Sequence, residues 1–267
     1  MPRLLVTGGS GFLGRRVVAH ARGLGWDVVA TTFRSPPGDG VRLDLADPDA
    51  VEAAVVRVAP DAVVHTAYDK DGERAWQVIV DGSAAVARAA ARLGARLVHV
   101  SSDLVFAGDA GRPYVEADRA DATTGYGLAK AVAEREVRAA CREAVVARTS
   151  LIIGGPGRDP SPHERAVADP SAVFWTDSLR CPVQVDDLAA ALLELAGLDV
   201  SGPIHVAGPD ELTRWELASL VAGRPVPGAA APAGVPRDCR LDTSLARRTL
   251  KARLRGMREV FGASSQM

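Results

Sequence analysis

The chain has 267 residues, 47% of them hydrophobic and 24% charged, and its 32 Lys plus Arg against 33 Asp plus Glu leave a net charge of −1. That balance gives no electrostatic footing for nucleic acid or an anionic membrane, and no apolar run reaches the roughly 18 residues of a membrane span. The chain runs directly into a strand pattern rather than a signal peptide, and Cys141, Cys181 and Cys239, like the five His, are too dispersed for a disulfide framework or a metal site. A soluble cytoplasmic protein without a structural metal is expected, built as one large α/β domain or a main domain with a small appendage.

The first element, RLLVT at 3–7, reads as a short buried strand, followed by GGSGFLG and a helical run from Arg15. Gly8, Gly11 and Gly14 recur every three residues where strand turns to helix, and Gly9, Gly11 and Gly14 satisfy G-x-G-x-x-G. Such a loop allows a tight turn and close backbone approach to a pyrophosphate, which then meets the positive end of the helix. A dinucleotide site is expected there, with Ser10, Phe12 and Leu13 in its loop. The next strand, at 27–32, ends at Thr32 without an acid to hold a ribose 2′-hydroxyl. Phe33-Arg34-Ser35 follows, and an Arg suits a 2′-phosphate, so NADP(H) is expected over NAD(H). Asp44 and Leu45 are placed to meet the adenine edge. Asp47, before Pro48, caps a helix at 48–59.

Strand 61–65, helix 73–93, strand 95–101, helix 124–143 and strand 144–149 follow. The strands are continuous apolar runs, as expected when helices cover both sheet faces, and their alternation with helices implies a doubly wound parallel sheet of the Rossmann type. Residues 1–150 would form this cofactor-binding domain. Ligands of such sheets sit beyond the carboxyl ends of the strands. Gly8–Gly14, Thr66-Ala67, Ser101–Asp103 and Thr149–Leu151 all fall there and define one shared site. In TTGYGLAK, Tyr126 and Lys130 stand four apart and share a helix face. An ammonium beside a phenol would lower its pKa toward the working range, letting Tyr126 donate a proton to a carbonyl oxygen held by Ser102.

Beyond residue 151 the pattern loosens. The Gly/Pro-rich stretch after Leu151 reads as a flexible lobe or lid, so 151–267 would be mainly a small C-terminal substrate-binding lobe with segments returning to the core. AVFWT is extended, CPVQVDDLAAALLELAG a strand and capped helix, and GPIHVAG another strand. Thr213 caps the next helix with Glu216 completing a capping box. The Pro/Ala/Gly tract 222–236 reads as a linker or surface loop. A homodimer is the base-rate expectation for assembly.

TGGSGFLG, HTAYDK (65–70), VSSDLVFAG (100–108), YGLAK (126–130), RTSLI (148–152), CPVQVDDLA (181–189), IHVAG (204–208) and RLDTSLARRTL (240–250) together resemble the extended short-chain dehydrogenases/reductases, most closely the dTDP-4-dehydrorhamnose reductase branch of sugar-nucleotide reductases. The resemblance implies hydride transfer from the nicotinamide to a 4-keto sugar nucleotide. Ser102 takes the place of the family's hydroxyl residue, Tyr126 that of the acid, and Lys130 that of its partner and holder of the nicotinamide ribose. Asp103 followed by Leu104 lacks the second acid of the 4,6-dehydratases. Tyr68, Asp103, Leu151, Trp175 and Arg180 are the candidate substrate contacts: Asp103 reads equally as a loop-capping carboxylate, Trp175 as lobe packing or a base-stacking platform, and Arg180 as a phosphate partner. Asp81 stands where the family usually has an Asn tied to a water relay or helix kink, and Leu151 where it often has a large aromatic. The alternatives are an epimerase, a reductase of another carbonyl, and a non-catalytic NADP-binding regulatory subunit.

Overall fold

The structure is a computed structural model that describes residues 1–34, 40–69 and 74–262. Ser35, Lys70 and the expected helix start at residue 73 lie outside them. Strands and helices alternate as β1 (Arg3–Thr7), α1 (Gly14–Gly23), β2 (Asp27–Thr32), β3 (Val41–Arg42), α2 (Pro48–Val58) and β4 (Ala62–His65). The order continues through a π-helical turn at Gln77–Asp81, α3 (Gly82–Leu93), β5 (Arg96–Ser102), α4 (Gly125–Ala140) and β6 (Val145–Thr149). The later chain adds β7 (Ile152–Ile153), α5 (Pro162–Val167), β8 (Phe174–Trp175), β9 (Leu179–Arg180), β10 (Val183–Gln184) and α6 (Val185–Gly197). It closes with β11 (Gly202–His205), β12 (Leu212–Thr213), α7 (Arg214–Ala222), β13 (Gly228–Ala229) and two short helices.

Seven strands form one sheet in the order β11-β6-β5-β4-β1-β2-β3, and each of its strand pairs is parallel. This is the expected Rossmann-type doubly wound sheet, extended by β11, which returns from the late chain to pair with β6. The apolar runs are buried on both faces because successive side chains point to opposite sides. Leu4 and Val6 join Val17, Leu188 and Leu192 under α1 and α6, whereas Leu5 between them joins Val51, Val55 and Val86 under α2 and α3. The strand order reverses between β1 and β4, the switch point at whose carboxyl ends a ligand crevice opens.

Local chemistry accounts for the helix boundaries. Asp47 accepts from Ala50 N ahead of Pro48, and Thr213 and Glu216 form the expected capping box. The stretch read as a flexible lid is instead fastened. Ser161 and Glu164 close a second capping box, and the Glu164 carboxylate also accepts from Gly154 N and Gly155 N, at 2.8 Å each. Arg158 reaches across to Asp186 at 2.7 Å. The tract 222–236 lends β13 to pair with β8, so part of it is ordered sheet rather than linker.

Candidate active site

The glycine loop bends β1 into α1 over the sheet's switch point. Gly11 N donates to Gly8 O, and a Cβ on Gly14 would collide with that same carbonyl, so only hydrogen fits there. A cavity of about 320 Å³ runs outward from this loop, lined by Gly8, Ser10, Gly11, Thr32, Arg34, Asp44, Leu45, Thr66 and Ala67. A second, of about 260 Å³, runs inward and is lined by Gly8, Gly11, Phe12, Leu13, Gly14, Thr66, Ser102, Asp103, Tyr126, Lys130, Thr149 and Leu151. The two share Gly8, Gly11, Thr66 and Tyr68. They thus make one elongated groove over the helix N-terminus, a shape that fits a dinucleotide. Thr149 Oγ1 is buried in the inner wall with no hydrogen-bond partner in the described structure, an orphaned polar atom where a ligand would supply one.

At the outer end, Arg34 is 76% exposed and pairs with Asp69 at 2.9 Å. Arg74, which the sequence did not single out, lies beside it, makes two bonds of 2.6 Å to Asp44 and stacks over Phe33. Asp44 also accepts from Ala46 N, so it is both a loop cap and part of the groove wall.

At the inner end, Thr124 accepts from Gly127 N and starts α4, which places Tyr126 in its first turn and Lys130 one turn later. Ser102 ends β5 and accepts from Leu104 N. Ser102, Tyr126 and Lys130 all line this inner cavity, so the three sequence-derived residues meet in one place. Their electrostatics differ from the expectation. Burial, with the Tyr68 phenol and Asp103 adding to it, pushes the Tyr126 pKa up, and only the Ser102 hydroxyl opposes this. Lys130 is not among the groups that pull it down, and its ammonium is engaged elsewhere. Nζ donates to Val100 O at 2.9 Å and sits 5.8 Å from the Tyr68 ring centroid. Burial brings Lys130 itself down to about 8, with Glu134 opposing.

Asp103 is buried. It accepts from Ser150 at 2.6 Å and pairs with Arg180 at 3.6 Å. Burial raises its pKa against the pull of Arg180 and of the Ser150 and Ser102 hydroxyls. Arg180 was expected as a phosphate partner, but it is only 3% exposed and spends its remaining donors on the Leu179, Pro236 and Arg237 carbonyls. Trp175 does not line the groove either; its ring lies 4.7 Å beneath the Arg214 guanidinium. Arg214 itself, with His163 and Pro162, does line the inner cavity, and none of the three stood out in the sequence. The S-x-x-E spacing of Ser161 and Glu164, not read from the sequence, is the local signal that could have pointed to order in that wall. The π turn ends at Asp81, so the helix departs from α-helical hydrogen bonding there even though the family's Asn is absent.

A family model described as RmlD substrate binding domain matches residues 2–263. The chain belongs to that family. It is thereby an NAD(P)-dependent oxidoreductase of the short-chain dehydrogenase/reductase superfamily. A dTDP-4-dehydrorhamnose reductase of Mycobacterium tuberculosis is 36% identical over 259 residues, 88% of this chain and 83% of the relative. Methionine adenosyltransferase 2 subunit beta of Bos taurus is 30% identical over 277 residues, 90% of this chain and 82% of the relative. The solved dTDP-4-dehydrorhamnose reductase of Bacillus anthracis in complex with NADP superposes with a TM-score of 0.84 at 21% identity, covering 98% of this chain and 96% of that one, and so shares its fold.

Proposed function

We propose that this member of the RmlD family reduces a nucleotide-linked keto sugar, of the 4-keto-6-deoxy type, with NADPH preferred over NADH. The reading rests chiefly on one observation: Ser102, Tyr126 and Lys130 converge in the cavity that continues the glycine-loop groove. The similarity to the M. tuberculosis reductase supports the substrate class. Gly8, Ser10, Gly11, Phe12, Leu13, Gly14 and Thr66 would hold the cofactor, with Thr149 Oγ1 at its inner end. When bound, the nicotinamide supplies the hydride to the carbonyl carbon. Ser102 holds the carbonyl oxygen by a hydrogen bond. The Tyr126 phenol, kept protonated by burial, donates its proton to that oxygen as negative charge builds there. Lys130, held by Val100 O in the same cavity, supplies positive charge to the site in which the phenolate is left.

The NADPH preference rests on Arg34 and Arg74, two guanidiniums at the adenosine end of the groove. Each already holds a carboxylate, so a 2′-phosphate would compete with Asp69 and Asp44 for them. A non-catalytic NADP-binding subunit is the second reading, favoured by the similarity to the bovine subunit. One assay separates the two readings. NADPH absorbance is followed against nucleotide-linked 4-keto-6-deoxy sugars, with NADH and Tyr126→Phe in parallel. Turnover that falls at least ~100-fold in the variant, with NADPH binding retained, is the expected result. Silence across the panel despite tight NADPH binding would favour the subunit reading.

A further inference from the structure

Arg214 opens α7 and lines the cavity that holds Tyr126 and Ser102. Arg214 is the one arginine among the described residues lining that cavity, whereas Arg180 is paired with Asp103 and Arg158 with Asp186. No carboxylate among the described residues forms an ion pair with Arg214, whose guanidinium lies over the face of Trp175. Burial and Arg180 both press against its charge, and Asp103, already paired with Arg180, only partly offsets them. A cation left facing a cavity without a counter-charge raises the free energy of the empty site, and an anionic ligand would relieve it. The planar fork suits paired oxyanions, and an aromatic platform holds that fork in one orientation.

We propose that Arg214 binds the diphosphate of the substrate, with Trp175 as the positioning residue beneath it. The assignment rests on the reading above that this cavity receives a nucleotide-linked sugar. It moves the phosphate contact from Arg180, locked on Asp103, to a residue on α7. Nucleotide-linked substrates would then be retained over uncharged carbonyls by a single charge-assisted contact.

Calorimetric titration of the NADP-saturated protein tests this, with dTDP, inorganic pyrophosphate and thymidine as probes. Saturating NADP keeps the probes off the glycine loop. The wild type should bind dTDP and pyrophosphate but not thymidine, and Arg214→Ala should weaken both by roughly 10- to 100-fold. Arg214→Lys should recover part of the loss, and Trp175→Leu should cause a smaller one. Arg224→Ala, at an exposed site elsewhere, should cause none, and unchanged NADP affinity reports that each variant folds. Equal dTDP affinity in Arg214→Ala and wild type, or no anion binding by the wild type, would overturn the assignment. The two levels fail separately. Keto-sugar turnover with unchanged KM in Arg214→Ala would sink the Arg214 contact and leave the reductase standing. Arg214-dependent pyrophosphate binding without any keto-sugar turnover would do the reverse.

Discussion

Lys130 carries its charge where charge is expensive. It is 4% exposed, and burial lowers its pKa to about 8 from the ordinary 10.5. The folded cofactor-free protein therefore binds this proton less readily than the unfolded chain. Below pH 8 both states are protonated and the folded one carries the full penalty. Between about pH 8 and 10.5 the folded state sheds its proton first, and the penalty fades. Lys130→Met should accordingly stabilise the cofactor-free protein at pH 7 by about 2 kcal/mol, the desolvation gain less the lost bond to Val100 O. Urea denaturation from pH 7 to 10 checks this: the gap between variant and wild type should close as pH rises, and a gap independent of pH would contradict it. The pair's spacing was legible in YGLAK, but the direction of the ammonium was not. That direction is set by a carbonyl on β5, thirty residues earlier. Glu134, one more turn along α4, was silent in the sequence for the same reason. It is buried by bonds from Arg148 and Ser101, partners that only the folded sheet brings to it.

Among the elements, α4 does most to set the chemistry, and its approach to the turn after β5 depends on one missing side chain. A Cβ at Gly127 would run into the carbonyl oxygen of Leu104. Gly127→Ala must push the first turn of α4 off the segment that carries Ser102 and Asp103. Stability should fall by about 1–3 kcal/mol and turnover at least ~10-fold, because Tyr126 moves with the turn. NADPH binding at the glycine loop should persist. Denaturant melts and turnover of the same preparation check both halves, and unchanged turnover would show that the close approach does not set the geometry. The elements through residue 149 were legible to within a few residues because buried parallel strands leave unbroken apolar runs between caps. The segment after Ile153 was misread. Its Gly and Pro content suggests mobility, whereas the order comes from one carboxylate, Glu164, that gathers three backbone N–H groups. Ser161 and Glu164 carried that signal as S-x-x-E.

At the scale of the whole molecule, the late chain is fastened to the sheet rather than hung from it. β11 joins β6, α6 packs beside α1, and Asp186 at the start of α6 takes bonds from Arg16 and His20 of α1 and from Arg158 of the lobe. Burial opposes ionisation of Asp186, but the arginines outweigh it and hold its pKa well below the usual carboxylate range. The inner cavity is therefore walled by both halves of the sequence: Ser102, Tyr126 and Lys130 from one, and Leu151, His163 and Arg214 from the other. The fold, the glycine loop, the Ser102, Tyr126 and Lys130 trio and the wall residues Tyr68, Asp103 and Leu151 could be read from local pattern, while His163 and Arg214 could not, since they reach the cavity only through these long-range ties. The central claim is net hydride delivery to a keto sugar within that wall. It is tested most directly by incubating the protein with 4-deuterated NADPH and a dTDP-4-keto-6-deoxy sugar, then weighing the product by mass spectrometry. The account expects one deuterium on the sugar for each NADPH consumed, lost in Tyr126→Phe. Sugar that is epimerised without net NADPH consumption, or left unchanged while NADPH stays bound, would contradict it.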